Sequence, residues 1–164
     1  MPFAYYQKLS TRHKKIYKES DRIEKIELPE LAAIQESVIA LERALEGGRR
    51  VATQKAAQNL MDHLTKALGV SSLSVKVLER RPSWATGELH GLYEAGERGL
   101  RVISVWMRTA QRVQVVKFKT FLRTLLHELC HHLDYEQLQL GESFHTEGFF
   151  KRESSLLRQL YPST

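Results

Sequence analysis

Apolar residues recur at spacings of three and four in four stretches of the chain, the pattern that one face of an amphipathic α-helix produces. The first two stretches lie within residues 29–69 and are separated by Gly47-Gly48, which predicts a helical hairpin or one long interrupted helix. The third stretch, FLRTLLHELCHHLDY, spans residues 121–135, and a last helix is predicted over roughly 146–160. The apolar positions of the first three stretches are Leu31, Ile34, Val38, Leu41 and Leu45, then Ala57, Leu60, Met61, Leu64 and Leu68, then Leu122, Leu125, Leu126, Leu129 and Leu133.

Between the second and third helical stretches the hydrophobic period changes to two, which is typical of β-strands. Alternation predicts strands in LSVKVLE (residues 73–79) and RVISVWM (residues 101–107), with a weaker candidate in TGELHGLY (residues 86–93). Short strands joined by Gly-containing turns favour a small antiparallel or mixed sheet. The predicted fold class is therefore α+β. A three-stranded sheet packs on the helix predicted over residues 121–135, with a helical hairpin before the sheet and a C-terminal helix after it.

Composition and charge place the chain among ordinary globular proteins. Its 164 residues fit a single domain, 1–164, in which residues 1–27 are predicted to form a basic arm or helix. The net charge of +6 indicates either contact with nucleic acid through basic residues or a solvated basic arm. No apolar run reaches the roughly 18 residues of a membrane span, and no signal-peptide core is present. Because the lone Cys130 cannot form an internal disulfide, we expect a cytoplasmic protein without membrane contact. The cations near the N-terminus are Lys8, Arg12, Lys14, Lys15 and Lys18.

The candidate chemistry lies in His127-Glu128-Leu129-Cys130-His131, an HExxH motif inside the third helical stretch. Residues four apart lie one turn above each other on a helix, so both imidazoles can reach one Zn²⁺. Glu128 follows the first histidine and can reach a zinc-bound water rather than the metal itself. The motif therefore predicts zinc held by His127 and His131, with Glu128 as a general base.

A catalytic zinc usually takes three protein ligands, so a third is expected after the motif. Gly141 predicts a loop after the helix, which lets the chain return toward the metal and makes His145 and Glu142 the candidates for the third ligand. His145 is preferred because neutral imidazole is the commonest metal ligand, although it could instead cap or pack beneath the last helix. Asp134 either orients a ligand through a hydrogen bond or is a solvated carboxylate.

HELCHHLDY, followed by FHTEGFFKRESSLLRQL, resembles the SprT-like zinc metallopeptidases. The likeness covers roughly residues 70–160 and includes the preceding strand and linker. It implies a minimal gluzincin-type fold with a three-stranded sheet, and some members of that family act on proteins bound to DNA. The zinc ligands that the resemblance implies are His127, His131 and His145, with Glu128 as the catalytic residue.

Peptide-bond hydrolysis is the leading hypothesis, with a protein or peptide substrate extended along an exposed sheet edge, most plausibly RVISVWM. The alternative is a DNA-associated binding module in which a structural or vestigial zinc joins the last helix to the HExxH helix. A structural site is closed by a fourth protein ligand, and Glu142 or Glu147 could supply it. Hydrolysis of another amide or ester would use the same water-activating residues.

Overall fold

A computed structural model describes residues 2–162, which contain five α-helices and five β-strands. Met1 and residues 163–164, which the predicted domain 1–164 includes, lie outside the described residues. The helices are α1 (Thr11–Arg22), α2 (Leu31–Glu46), α3 (Arg50–Leu68), α4 (Phe118–Glu136) and α5 (Glu147–Leu160). The strands are β1 (Leu73–Arg80), β2 (Ser83–Trp84), β3 (Gly87–Glu88), β4 (Gly91–Ala95) and β5 (Arg101–Arg108).

The α+β fold predicted from the sequence is confirmed, with a mixed three-stranded sheet. The strand order is β1-β5-β4, in which β5 runs parallel to β1 and antiparallel to β4. Ile103 of β5 lies between Val75 of β1 and Tyr93 of β4. The strands β2 and β3 form a separate antiparallel pair.

The prediction that RVISVWM is an exposed edge was wrong, because β5 is the central strand of the sheet. Residues 102–107 are all buried, as expected for a strand with neighbours on both sides and side chains covered on both faces. Alternation in the sequence identified the strand but carried no information on which of its neighbours would pair with it.

The outer edge of β1 is covered by two glutamine side chains from α3. Gln58 donates to the Leu73 carbonyl oxygen and accepts from the Val75 amide, at 2.8 Å each. Gln54 bonds to Val75 and Val77 in the same manner. Because these side-chain amides occupy the positions of a neighbouring strand, β1 cannot pair with an additional strand. In the described chain no other segment hydrogen-bonds to the outer side of β4.

The helix α4 packs on β4 and β5, and its leucine face explains why. Leu122, Leu125, Leu126 and Leu129 have no exposed surface, and burying each leucine contributes roughly 1.5–3 kcal/mol. The predicted helical hairpin corresponds to α2 and α3, with α3 lying along β1. In residues 2–162 no helix combines the length and apolar character needed to cross a bilayer.

Of the two predicted forms of residues 1–27, an arm or a helix, the structure contains the helix α1. The Ser10 side chain caps its start by accepting from the His13 amide at 3.1 Å. Ile16, Tyr17 and Ser20 form its buried face, which lies against α5. Four of the five cations predicted as a basic arm therefore lie on α1, and Lys8 ends a short 3-10 helix before it, Ala4–Lys8.

Candidate metal centre

The two histidines of the HExxH motif lie one above the other on α4. Their ring centroids are 5.0 Å apart, and both side chains are half-buried. Glu128 is 6% exposed. Because the leucines of α4 are buried on the opposite side of the helix, the two histidines of the motif face away from the core.

The third histidine reaches the other two from the connection between α4 and α5. His145 directly precedes Thr146, whose side chain accepts from the Phe149 amide and caps α5. The Nε2 atoms of His145 and His131 are 3.1 Å apart. One nitrogen from each of His127, His131 and His145 lies within 4.8 Å of the others. The three residues predicted as ligands are therefore brought together.

The geometry of this histidine group fits a zinc ion. Two nitrogens about 2.0–2.1 Å from a tetrahedral centre lie about 3.3 Å apart. The 3.1 Å between the Nε2 atoms of His131 and His145 agrees with that value. Because all three nitrogens lie within 4.8 Å of one another, the side chains need to shift only slightly to bind one ion. Three imidazole nitrogens are also a donor set that zinc commonly takes in catalytic sites.

Glu153 of α5 fixes the tautomer of His127. Its Oε1 lies 2.6 Å from His127 Nδ1, and its Oε2 accepts from Arg123 at 3.0 Å. A carboxylate only accepts, so Nδ1 carries the proton and Nε2 keeps its lone pair for a metal. The carboxylate also orients the ring and increases its basicity as a ligand.

A serine and a buried aspartate perform the same role for His131. Ser143 donates to Asp134 Oδ2 at 2.6 Å, so its oxygen must accept the bond that joins it to His131 Nδ1 at 2.7 Å. His131 therefore also presents Nε2 as a lone pair. Asp134, predicted either to orient a ligand or to be solvated, is fully buried, and its Oδ1 accepts from Arg152 at 3.0 Å.

The electrostatics of the site favour the neutral form of the His131 and His145 imidazoles. Burial, with the neighbouring His127 and His145, lowers the pKa of His131 to about 3. Partial burial and the His127 imidazole lower the pKa of His145, against an opposing effect of Glu153. Neutral imidazole is the form that binds metal, so these two ligands need no deprotonation near pH 7.

Glu128 lies in the wall of an open cleft of about 430 Å³ beside the three histidines. Gly91 of the edge strand β4 lines the same cleft, and a Cβ at Gly91 would lie 3.3 Å from Glu128 Cγ. Burial raises the pKa of Glu128, which His127 opposes and Glu153 reinforces. A carboxyl with a raised pKa next to a cleft is suited to accept and return a proton.

His132, which follows the candidate ligand His131 in the sequence, connects α4 to the edge strand β4. Its Nε2 lies 2.8 Å from the Ser71 carbonyl oxygen, so this nitrogen carries the proton. Its Nδ1 then accepts from the Tyr93 hydroxyl at 2.9 Å. Burial lowers the pKa of His132, which agrees with a neutral ring that makes both bonds. Tyr93 also stacks on His131 at 6.4 Å, so β4 is held against the site.

The candidate fourth ligands, Glu142 and Glu147, are not part of the histidine group found within residues 2–162. Sequence reasoning missed Glu153, Ser143 and Arg152. No local sequence signal marks any of the three. Glu153 lies one helical turn after Phe149, but the packing of Phe149 on the histidine rings is visible only in the structure.

The geometry of the site is the basis for its interpretation. No family model, no curated protein and no solved structure matches the chain. The likeness to SprT-like metallopeptidases therefore remains a prediction from the HELCHHLDY and FHTEGFF motifs, and function is inferred from the side chains themselves.

Proposed function

We propose that the chain is a zinc-dependent metallopeptidase that hydrolyses peptide bonds of protein substrates, as the resemblance to SprT-like enzymes implies. One observation carries the proposal: three imidazole nitrogens within 4.8 Å of one another share an open cleft with the buried carboxyl of Glu128. His127, His131 and His145 would hold the ion. The oriented tautomers of His127 and His131 support a metal site rather than three solvated side chains.

A zinc ion held by the three histidines would supply a Lewis acid that acidifies water and polarises a carbonyl group. Glu128 accepts a proton from the water while the water oxygen attacks the carbonyl carbon of the scissile bond. When the carbon–nitrogen bond breaks, the same carboxyl returns the proton to the leaving amine. Burial raises the pKa of Glu128, which makes its carboxylate a stronger proton acceptor than an ordinary glutamate.

The substrate peptide is proposed to extend along β4 rather than β5. The outer side of β4 has no hydrogen-bonding neighbour within residues 2–162, and Gly91 at its start lines the cleft. An extended peptide can add to such an edge through main-chain hydrogen bonds. Its scissile carbonyl would then lie near Glu128, because Gly91 is packed directly against that side chain.

The alternative, a DNA-associated module with a structural zinc, requires a closed coordination shell. The group found in the described chain supplies three histidines and no carboxylate, and it faces a cleft. These features favour a site with one position left for water and substrate. Hydrolysis of a non-peptide amide or ester would use the same residues, and substrate assays separate that reaction from proteolysis.

The test is Glu128→Gln, compared with wild type for zinc content and for cleavage of a denatured, dye-labelled protein. We expect normal zinc content and a rate about 10²- to 10⁴-fold lower, because the amide cannot accept the proton. Glu142→Gln is the matched control: this half-buried carboxylate lies three residues before His145 in the sequence but outside the histidine group, so the rate should not change. Cleavage by Glu128→Gln at the wild-type rate would show that the general-base assignment is wrong.

A further inference from the structure

The N-terminal segment, residues 3–23, packs around the loop that carries the third histidine. The Tyr5 hydroxyl donates to the main-chain carbonyl oxygen of His145 at 2.7 Å. Phe144, the residue before this histidine, lies against the rings of Tyr5 and His13, with centroids 6.4 and 5.3 Å away. The position of His145 therefore depends on residues about 130 or more positions earlier in the chain.

The second half of the N-terminal segment holds the residues that follow His145. Ser20 Oγ is 3.0 Å from Thr146 Oγ1, and Asp21 accepts from the Gly148 amide at 3.0 Å. A Cβ at Gly148 would lie only 2.5 Å from the Ser20 carbonyl oxygen, so the two backbones are in direct contact. The loop is thus fixed to α1 immediately before and after it enters α5.

The three histidines are supported in different ways. His127 and His131 lie on the buried helix α4, and each has an Nδ1 partner. His145 is exposed, and in the part of the chain that the structure describes its Nδ1 has no hydrogen-bond partner. Its support comes instead through the main chain, from the Tyr5 hydroxyl.

We propose that the N-terminal segment is part of the metal centre, in which Tyr5 is a positioning residue that holds His145 at bonding distance and thereby sets zinc affinity. This inference rests on the zinc site of the proposed function. Because binding energies are reciprocal, zinc must in turn stabilise the packing of residues 3–9 on the loop. Metal loading and N-terminal packing are one coupled equilibrium.

The experiment compares Tyr5→Phe with Tyr6→Phe in the full chain. Both tyrosines lie in the 3-10 helix Ala4–Lys8 and pack on the Tyr17 ring, but no hydrogen bond joins the Tyr6 hydroxyl to another described residue. Zinc affinity is measured by competition with a chelating dye. Tyr5→Phe should bind zinc about three- to tenfold more weakly, the effect of one lost hydrogen bond, whereas Tyr6→Phe should match wild type.

Hydrogen exchange separates positioning from a merely structural role. In wild type, zinc should slow amide exchange in residues 3–9, and Tyr5→Phe should reduce that protection by the same factor as the zinc affinity. Equal zinc affinity in all three proteins, or no effect of zinc on exchange in residues 3–9, would overturn the positioning role and leave the hydrolase proposal intact. A wild-type protein that binds no zinc would instead overturn the proposed function itself.

Discussion

At the residue scale, the oxygen atoms that contact Nδ1 of His127 and His131 determine how well these imidazoles could bind the proposed zinc ion. Glu153 receives the Nδ1 proton of His127, and Ser143 transmits the charge of Asp134 to His131. Without these partners each ring could rotate or carry its proton on the metal-facing nitrogen. The ligand strength of the HExxH histidines is therefore set by residues outside the motif.

Replacing Glu153 by glutamine tests this dependence. The substitution keeps the shape and an acceptor oxygen but removes the negative charge 2.6 Å from His127 Nδ1. We expect zinc affinity to fall by about tenfold, the lower end of the effect seen for partners of metal-bound histidines. A chelator competition assay on the purified protein measures the change.

Arg123→Ala is the control for that substitution, because Arg123 shares the Glu153 carboxylate at 3.0 Å without touching the histidines. Removing this cation leaves the carboxylate in place, so zinc should bind at least as tightly as in wild type. A similar loss in both variants would show that the ion pair, rather than the charge behind His127, supports the site.

Local spacing identified His127, Glu128 and His131, because residues four apart share a helix face whatever the tertiary fold. It could not identify their partners. Glu153 lies 26 residues after His127, and Ser143 lies 12 residues after His131. Ser143 lies within the connection between α4 and α5, and Glu153 lies beyond it. Because packing with α1 sets the direction of this connection, no periodic pattern relates these residues to the motif in the sequence.

At the element scale, the contact between α4 and the edge strand β4 sets the geometry of the cleft. A Cβ at Gly91 would approach Thr124 Cγ2 to 2.6 Å and Glu128 Cγ to 3.3 Å. Real Cβ atoms do not come as close as the first distance, so the strand or the helix would have to move. The absence of a side chain at Gly91 therefore allows β4 to lie against the proposed catalytic carboxyl.

Gly91→Ala should displace Glu128 while the metal ligands stay in place. We expect cleavage of a denatured protein to fall by about tenfold or more, since small misplacements of a reacting group are costly. Zinc affinity should remain within about twofold of wild type, because the hydrogen-bond partners of His127 and His131 are unchanged. Initial rates and chelator competition on the same preparation measure both quantities.

Two further variants make the Gly91→Ala result specific. Gly87→Ala is the control, because its added Cβ would meet only Trp84 at an ordinary 3.8 Å. Thr124→Ser removes the methyl group that blocks residue 91 and keeps the hydroxyl that bonds to the Thr120 carbonyl oxygen. Adding Thr124→Ser to Gly91→Ala should restore activity, and failure to restore it would contradict the steric explanation.

Among the elements, sequence periodicity predicted the strands but not their order. The alternation in RVISVWM is the same for an edge strand and a central one, so it could not predict that β5 is the central strand. The order depends on α3, whose Gln54 and Gln58 saturate the outer side of β1. Neither glutamine has a sequence signature, since each lies among other polar residues of an amphipathic helix.

At the scale of the whole molecule, Arg152 joins the N-terminal segment to both helices of the site. Its guanidinium donates to the Ser20 carbonyl oxygen at 2.5 Å, the Ile23 carbonyl oxygen at 2.6 Å and Asp134 at 3.0 Å. The side chain has no exposed surface, and within residues 2–162 its Nε has no hydrogen-bond partner. One buried cation thus connects α1, α5 and α4.

Arg152→Met should destabilise the metal-free protein by about 3–5 kcal/mol, because a buried carboxylate and two carbonyl groups lose their donor. Lys151→Met is the adjacent control: Lys151 is 53% exposed and pairs with Glu24 at 3.5 Å, a surface ion pair worth under about 1 kcal/mol. Urea unfolding of both variants, followed by circular dichroism, measures the difference. An unfolding midpoint for Arg152→Met equal to that of Lys151→Met would show that this buried network does not hold the N-terminal segment against the site. The predicted loss is a large share of the roughly 5–15 kcal/mol that stabilises a typical domain, so this network is expected to contribute a large part of the stability of the fold.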